Sequence, residues 1–312
     1  MSASISTEGM IHLPGGTFAM GSEVFYPEEA PVRQVRVDAF WIDEAPVTNW
    51  QFAEFVAETG HVTFAELPPD PKAYPGLLPE YAHPGSLVFD PPPGPVDLGS
   101  VCWWHFRLGA MWRHPLGPGS SIIGLEDHPV VHVTHADAAA YAAWAGKALP
   151  TEAEHEFAAR GGLEGVEYAW GEELAPDGKM LANYWQGPFP HANSEEDGYL
   201  RTSPVKTYPA NGYGLYDMIG NVWEWTDDWY SDPKVERKKA GSCCIPANPR
   251  GGSRGGSILK KEPGRIPRKV LKGGSHLCAA DYCKRYRPAA RYPQPIDTST
   301  CHVGFRCVVR AA

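Results

Sequence analysis

A chain of 312 residues, 43% of them hydrophobic, has enough apolar mass for a sizeable core, as one large domain or two ordinary ones, and general disorder is excluded. A formal charge of -9, from 28 Lys and Arg against 37 Asp and Glu, argues against a dedicated nucleic-acid binder, which would carry a basic face. The 33 Gly and 31 Pro, together with 11 Trp, 14 Tyr and 11 Phe, point to a loop-rich fold whose irregular backbone is pinned by large rings, rather than to a helical bundle.

In chain order, the opening MSASISTEGMIHLPGG has no basic n-region and no sustained apolar stretch, and no later window is long enough to span a bilayer. An unexported, cytoplasmic protein with no membrane partner is expected. MIHLPGGTFAMGS and RQVRVDAFWIDEAPVT alternate apolar and polar residues between Gly and Pro breaks and read as strands. Thr48 opens a helix: it forms a capping-box pattern with Gln51, Phe52, Phe55 and Val56 share one face, and Gly60 stops it. Residues 64–100, rich in proline, read as an ordered meandering loop. Two further helices follow, one from Thr134 to a stop at Gly146, the other with Thr151 and Glu154 as capping box, Phe157 on its inner face and Gly161 and Gly162 as its end. Short strands, turns and aromatics fill the rest. No fixed repeat or dividing linker is visible, so residues 1–312 read as one α+β domain with three modest helices. The basic run from Lys234 to Lys272, rich in Gly, Pro and Ser, reads as a solvated variable loop within it, spanning about 231–270.

Seven cysteines at scattered spacing do not make a secreted disulfide framework. In a reducing compartment, a close pair of cysteines points instead to metal binding or redox chemistry. Cys278 and Cys283, in GGSHLCAADYC, are such a pair. Their spacing is a modest metal signal: structural zinc prefers pairs of pairs, and no second Cys or His pair stands at suitable spacing. Two thiolates alone suit Cu(I) better than any hard cation. On spacing alone, two small buried residues that never meet are the favoured reading.

Four stretches taken together closely resemble the formylglycine-generating enzymes, or sulfatase-modifying factors, along nearly the whole chain. They are GGTFAMGS at 15–22, the segment 128–162 ending in LPTEAEHEFAARGG, NGYGLYDMIGNVWEWTDDW at 211–229, and GGSHLCAADYCKRYRPAAR with HVGFRC at 273–307. The helices and the GNVWEW framework are common to a wider superfamily and specify only a fold, whereas the cysteine pair within its GGS and RYR flanks is far more specific to the enzyme. The resemblance implies a compact variant of the C-type-lectin-like topology with little regular secondary structure. It also implies that Cys278 and Cys283 bind Cu(I) between two thiolates, that a substrate cysteine joins as a third, and that molecular oxygen then reacts to leave Cα-formylglycine. Ser275 and Tyr282 match polar residues expected to position oxygen and a proton-carrying water; Ser275 reads equally as a turn hydroxyl, whereas for Tyr282 the functional reading is favoured over a core aromatic with a satisfied OH. Trp223 matches a tryptophan of the cavity wall, a weak candidate for substrate contact whose plainer role is packing. His276, near Cys278, is not assigned as a ligand.

The resemblance also carries two calcium sets. The first takes Asn183, the Tyr184 carbonyl, Asp197 and the Tyr199 carbonyl; the second takes Asp217, the Gly220 and Val222 carbonyls, and Glu224. Oxygen donors of this kind suit a hard, flexible cation, and the bland alternative is loop capping. The structural disulfides of the secreted relatives have lost their partners here, where Ala142, Ala159 and Pro288 stand and Cys307 is left without a mate; this matches a prokaryotic, cytosolic type. Cys102, Cys301 and the adjacent Cys243 and Cys244 receive no role, although a Cys301 close to the site would compete for copper. The implied partner of a monomeric enzyme is an unfolded or nascent sulfatase carrying Cys-x-Pro-x-Arg. Three rivals are a non-catalytic peptide- or sugar-binding module of the same fold, an iron-dependent sulfur-inserting oxidase, and a thiol-disulfide oxidoreductase. The cysteine pair speaks against the first. The second needs a helical bundle absent here, and the third a C-x-x-C in a βαβ setting.

Overall fold

The three helices begin and end where local side-chain chemistry directs. Thr48, Thr134 and Thr151 each cap the helix that follows, and each exchanges hydrogen bonds with the third helical residue, Gln51, Asp137 or Glu154. The helices are α1 (Asn49–Thr59), α2 (His135–Trp144) and α3 (Glu152–Arg160), and Gly60 and Gly161 close the first and third in the left-handed conformation. The computed structural model describes residues 6–232, 244–259 and 264–310.

Among the described residues, four small sheets lie around these helices. Strands β1 (Met10–Leu13), β4 (Phe40–Asp43) and β11 (Val308–Arg310) pair antiparallel and bring the two ends of the chain together. Strands β2 (Gly16–Met20) and β3 (Arg33–Val37) form a hairpin, as do β5 (Gly85–Phe89) and β6 (Trp104–Leu108). The largest sheet has the order β10 (Val303–Gly304), β7 (Trp223–Trp229), β8 (Arg268–Lys272), β9 (Arg291–Pro295), with β10 parallel to β7 and the rest antiparallel. The architecture is a mixed α+β one with few helices, as expected.

Two readings change. β5 lies inside the proline-rich stretch read as loop, because five residues free of proline, GSLVF, suffice to pair with β6. The basic run does not stay in solvent to its end: Arg268–Lys272 is an inner strand of the largest sheet, with every residue buried. Residues 244–259 are irregular and mostly exposed, and the remainder of the proposed loop, 233–243 and 260–263, lies outside the described residues. Among the described residues no helix is long and apolar enough to cross a membrane.

Buried ion pairs explain why β8 tolerates basic residues. Lys272, fully buried, donates to Glu156 Oε2 at 2.9 Å, while Glu156 Oε1 accepts from Arg160 at 2.7 Å and from the Gly21 N–H at 2.7 Å. Burial alone would raise the Glu156 carboxyl, but the Lys272 and Arg160 charges hold it down to about 2. The contribution of this carboxylate is therefore fully present above its unfolded value of 4.5 and lost as pH falls towards 2. Lys272→Met removes one partner of a buried pair and is expected to destabilise the fold by about 3–5 kcal/mol, read from the urea unfolding midpoint; a change within about 0.5 kcal/mol, the range of ordinary surface substitutions, would contradict a structural role for the pair.

Candidate active site

β8 runs into Gly273 and Gly274, and the chain then turns sharply. Gly274 has φ +75°, and a Cβ there would meet the Arg285 carbonyl at 2.5 Å, so the segment after β8 passes hard against the segment that returns. Within this fold-back the Cys278 N–H donates to the Ser275 carbonyl (2.9 Å) and the Cys283 N–H to the Ala279 carbonyl (2.9 Å). The Trp185 N–H anchors the turn from outside through the Cys278 carbonyl (3.0 Å). The two cysteine sulfurs, five positions apart in the chain, end 3.5 Å from each other. That is too long for the roughly 2 Å disulfide bond and short enough for one thiol to donate to the other. The alternative that they are two unrelated buried residues is excluded.

The two thiols are unequal. Cys278 is 2% exposed, and burial pushes its thiol well above the ordinary value. Cys283 is held down to about 6, first by the hydrogen bond from Cys278 and then by the Arg285 charge, against the effect of burial. Arg285 Nη1 lies 3.6 Å from Cys283 Sγ. Cys283 is therefore the sulfur of the pair that gives up its proton first, accepting from the Cys278 thiol.

The pair opens into a cavity of about 370 Å³ walled by Trp103, Trp104, Phe189, Trp223, Tyr282 and Tyr292. Tyr282, 41% exposed, stacks on Phe189 with ring centroids 4.6 Å apart, and Trp103 meets its ring edge-on at 5.6 Å. Ser275 also lines the cavity; its Oγ accepts from the Leu277 N–H (3.2 Å) and lies 3.3 Å from His302 Nδ1. Ser275, Cys278, Tyr282, Cys283 and Trp223 thus share one cavity. His276 does not: its ring is buried, with Nδ1 on the Asn221 carbonyl at 2.8 Å. Cys301 turns the other way, its sulfur accepting from the Phe89 N–H at 3.3 Å and its thiol raised by burial to about 11. Cys307 is a free, fully buried thiol beside Asp43, with Ala142 in the same core cluster.

The first set of expected calcium positions comes together. Asp197 accepts from the Tyr184 and Tyr199 N–H groups (3.1 and 3.0 Å), and the Gln186 amide bridges its carboxylate (2.9 Å) to the Tyr184 carbonyl. Asn183 donates to the Arg201 carbonyl at 2.7 Å. Burial raises the Asp197 carboxyl, and among the described residues no cationic side chain pairs with it. The second set is divided. Glu224 gives both oxygens to Arg306 (2.7 and 2.8 Å) and one also to His155 (3.2 Å), so a guanidinium already supplies a counter-charge to this carboxylate. Asp217 accepts instead from the Lys206 N–H at 2.9 Å. Among the described residues no three His, Cys, Asp or Glu side chains form a metal-holding group.

Residues 1–311 match the sulfatase-modifying factor enzyme 1-like domain. The chain belongs to this family. It is 52% identical to the formylglycine-generating enzyme of Mycobacterium tuberculosis over 301 residues, covering 96% of this chain and 97% of the relative. With the enzyme of the same name from Streptomyces coelicolor it shares 47% identity over 97% of this chain and 89% of that one. A solved structure, that of PvdO from Pseudomonas aeruginosa, covers 96% of this chain and 93% of its own at a TM-score of 0.62 and 22% identity, a likeness of fold.

Two residues at the family's cysteine pair escape a reading by motif. His302 reaches Ser275 from β10's edge, and Arg285 reaches Cys283 from two residues downstream; a lone His and one Arg among several carry no signal of their own. In reduced, metal-free protein, alkylation of Cys283 by iodoacetamide should show its rate inflection near pH 6. Cys278→Ala removes the hydrogen bond to the thiolate and should move that inflection upward towards the ordinary thiol range; an inflection unmoved by the substitution would contradict the assignment.

Proposed function

We propose that this protein converts a sulfatase cysteine to Cα-formylglycine, with Cu(I) held by Cys278 and Cys283 and molecular oxygen as co-substrate. The observation that carries the reading is the meeting of the two sulfurs at 3.5 Å on the wall of a cavity large enough for a peptide side chain. A chain of this family with 52% identity to a protein named for that reaction supports the activity. Two soft sulfurs, one of them readily ionised, with no third acidic or imidazole ligand among the described residues, fit a soft ion of low coordination number and do not fit tetrahedral zinc. When bound, Cu(I) would supply the one-electron chemistry that couples cysteine oxidation to oxygen reduction.

The residues of the chain account for the rest. The aromatic walls exclude water and hold an extended polypeptide by its apolar surface. Ser275, its oxygen fixed by the Leu277 N–H, is free to donate its own proton to His302 Nδ1 or to a bound oxygen species. Tyr282 stands at the exposed lip, its phenol kept protonated by burial and by the neighbouring Cys283 charge, and is placed to donate a proton into the cavity. Conversion of CH2SH to CHO with release of hydrogen sulfide removes two electrons, and full reduction of oxygen to water takes four, so an external thiol reductant must supply the other two. A monomer acting on unfolded or nascent sulfatase in the cytoplasm completes the proposal. For calcium, the support lies with Asn183, Tyr184, Asp197 and Tyr199, where a buried carboxylate has no paired cation among the described residues; Asp217, Gly220 and Val222 gain less support, because Glu224 already pairs with Arg306.

Mass spectrometry of a peptide containing Cys-x-Pro-x-Arg, incubated with copper-loaded protein, oxygen and a thiol reductant, should show the aldehyde product. Cys278→Ala and Cys283→Ala should reduce it to background, and Ser275→Ala should lower kcat. An unchanged peptide with wild-type protein that holds copper would overturn the activity. For the calcium site, saturating calcium at about 100 times its Kd should stabilise wild-type protein by about 2.7 kcal/mol. Asp197→Asn should abolish that shift; an equal shift in both would remove calcium from this site.

A further inference from the structure

The residues from 21 to 32, between β2 and β3, lie far from the cysteine pair in sequence but are built onto the segment that follows it. Arg287 forms a two-pronged pair with Glu29, its two terminal nitrogens at 2.9 and 2.5 Å from the carboxylate oxygens, and stacks over the Phe25 ring at 3.8 Å. Arg291 donates to the Glu28 carbonyl at 3.2 Å. These contacts dock the loop. Arg285 is held differently. Its guanidinium lies 3.8 Å above the Tyr26 ring, one terminal nitrogen donates to Glu28 Oε1 at 2.6 Å, and the other points to Cys283 Sγ at 3.6 Å. Tyr26 itself is fixed, because its hydroxyl accepts from the Lys284 N–H at 3.1 Å. A second ring, that of Tyr292, lies 5.5 Å away on the cavity wall.

A planar guanidinium with one ring beneath it and a carboxylate on one arm has little freedom to turn. Its remaining arm is therefore aimed at the sulfur rather than merely near it. Arg285 also lines the cavity, so its charge stands where an incoming cysteine sulfur would arrive. Two thiolates and one Cu(I) carry a net charge of -1, and a third thiolate makes it -2. An oriented cation at the pair lowers the cost of both states.

We propose that Arg285 is a positioning residue for the copper site, oriented by Tyr26 and Glu28, and that the 21–32 loop thereby serves the cysteine pair in addition to stabilising the fold. The inference rests on the copper reading above. It assigns to the loop joining β2 and β3 a role that a purely structural brace would not have.

The test is Cu(I) affinity, measured in the absence of oxygen by competition with a colorimetric chelator, with thermal unfolding followed in parallel. Hydrogen bonds to charged groups are strong enough that Arg285→Met should weaken Cu(I) binding by at least about tenfold. Arg285→Lys, which keeps the charge but loses the fork, should recover part of that loss, and Tyr26→Leu, which changes no charge, should weaken binding by a smaller factor. Folded Arg285→Met protein that binds Cu(I) as wild type does would overturn the inference while leaving the copper reading intact. If Arg285→Met fails to fold, Arg285→Lys and Tyr26→Leu decide: wild-type affinity in both would overturn it. Wild-type protein that takes up no Cu(I) would instead overturn the copper reading and this inference with it.

Discussion

Two sulfurs held 3.5 Å apart in a largely dry wall cannot both be ionised cheaply, and the site is organised around that constraint. The resolution is asymmetric: one thiol, buried and high, donates to one thiolate that a guanidinium steadies. Metal-free, the pair shares a proton. A soft cation would take the place of that proton and relieve the repulsion without rearranging the backbone, because the turn that brings the sulfurs together is made by main-chain bonds at Ser275 and Ala279.

Holding such a turn still is harder in a fold with short strands than in a helical bundle, since few ladders brace it. Buried charge pairs do much of this bracing here. Glu29 with Arg287, Glu152 with Arg291, Glu156 with Lys272 and Glu224 with Arg306 all join segments distant in sequence, and all are nearly or fully buried. Such pairs are costly to break because the partner left behind is an uncompensated charge. Three of the four touch β8, α3 or the stretch that follows Cys283, so the region bearing the cysteines is braced on both sides.

What is local in the chain is legible in it. The capping threonines at 48 and 151 and the glycines at 60 and 161 mark helix ends because their partners lie within four residues. The cysteine turn is legible for the same reason, although its spacing alone favours two unrelated buried residues, and only the family resemblance reverses that reading. β5 was hidden by the prolines around it, and β8 by its charge: Lys269 and Lys272 look solvated until Asp227 and Glu156 are placed opposite them, and Arg268 until the Pro293 carbonyl accepts from it. The pairing of Glu224 with Arg306 is not legible, because nothing near Glu224 in sequence announces a partner 82 positions away. Glu28 and Arg285 are 257 positions apart, and no periodicity connects them. The residues that finish the site are those whose partners the tertiary fold supplies.

The most direct test of the account is X-ray absorption at the copper edge of protein loaded with one equivalent of Cu(I), without and with a Cys-x-Pro-x-Arg peptide in the absence of oxygen. The account predicts two sulfur neighbours for the loaded protein and three once peptide is added, with both states lost in Cys283→Ala. Nitrogen or oxygen neighbours in the loaded protein, or a sulfur count that the peptide leaves unchanged, would contradict it.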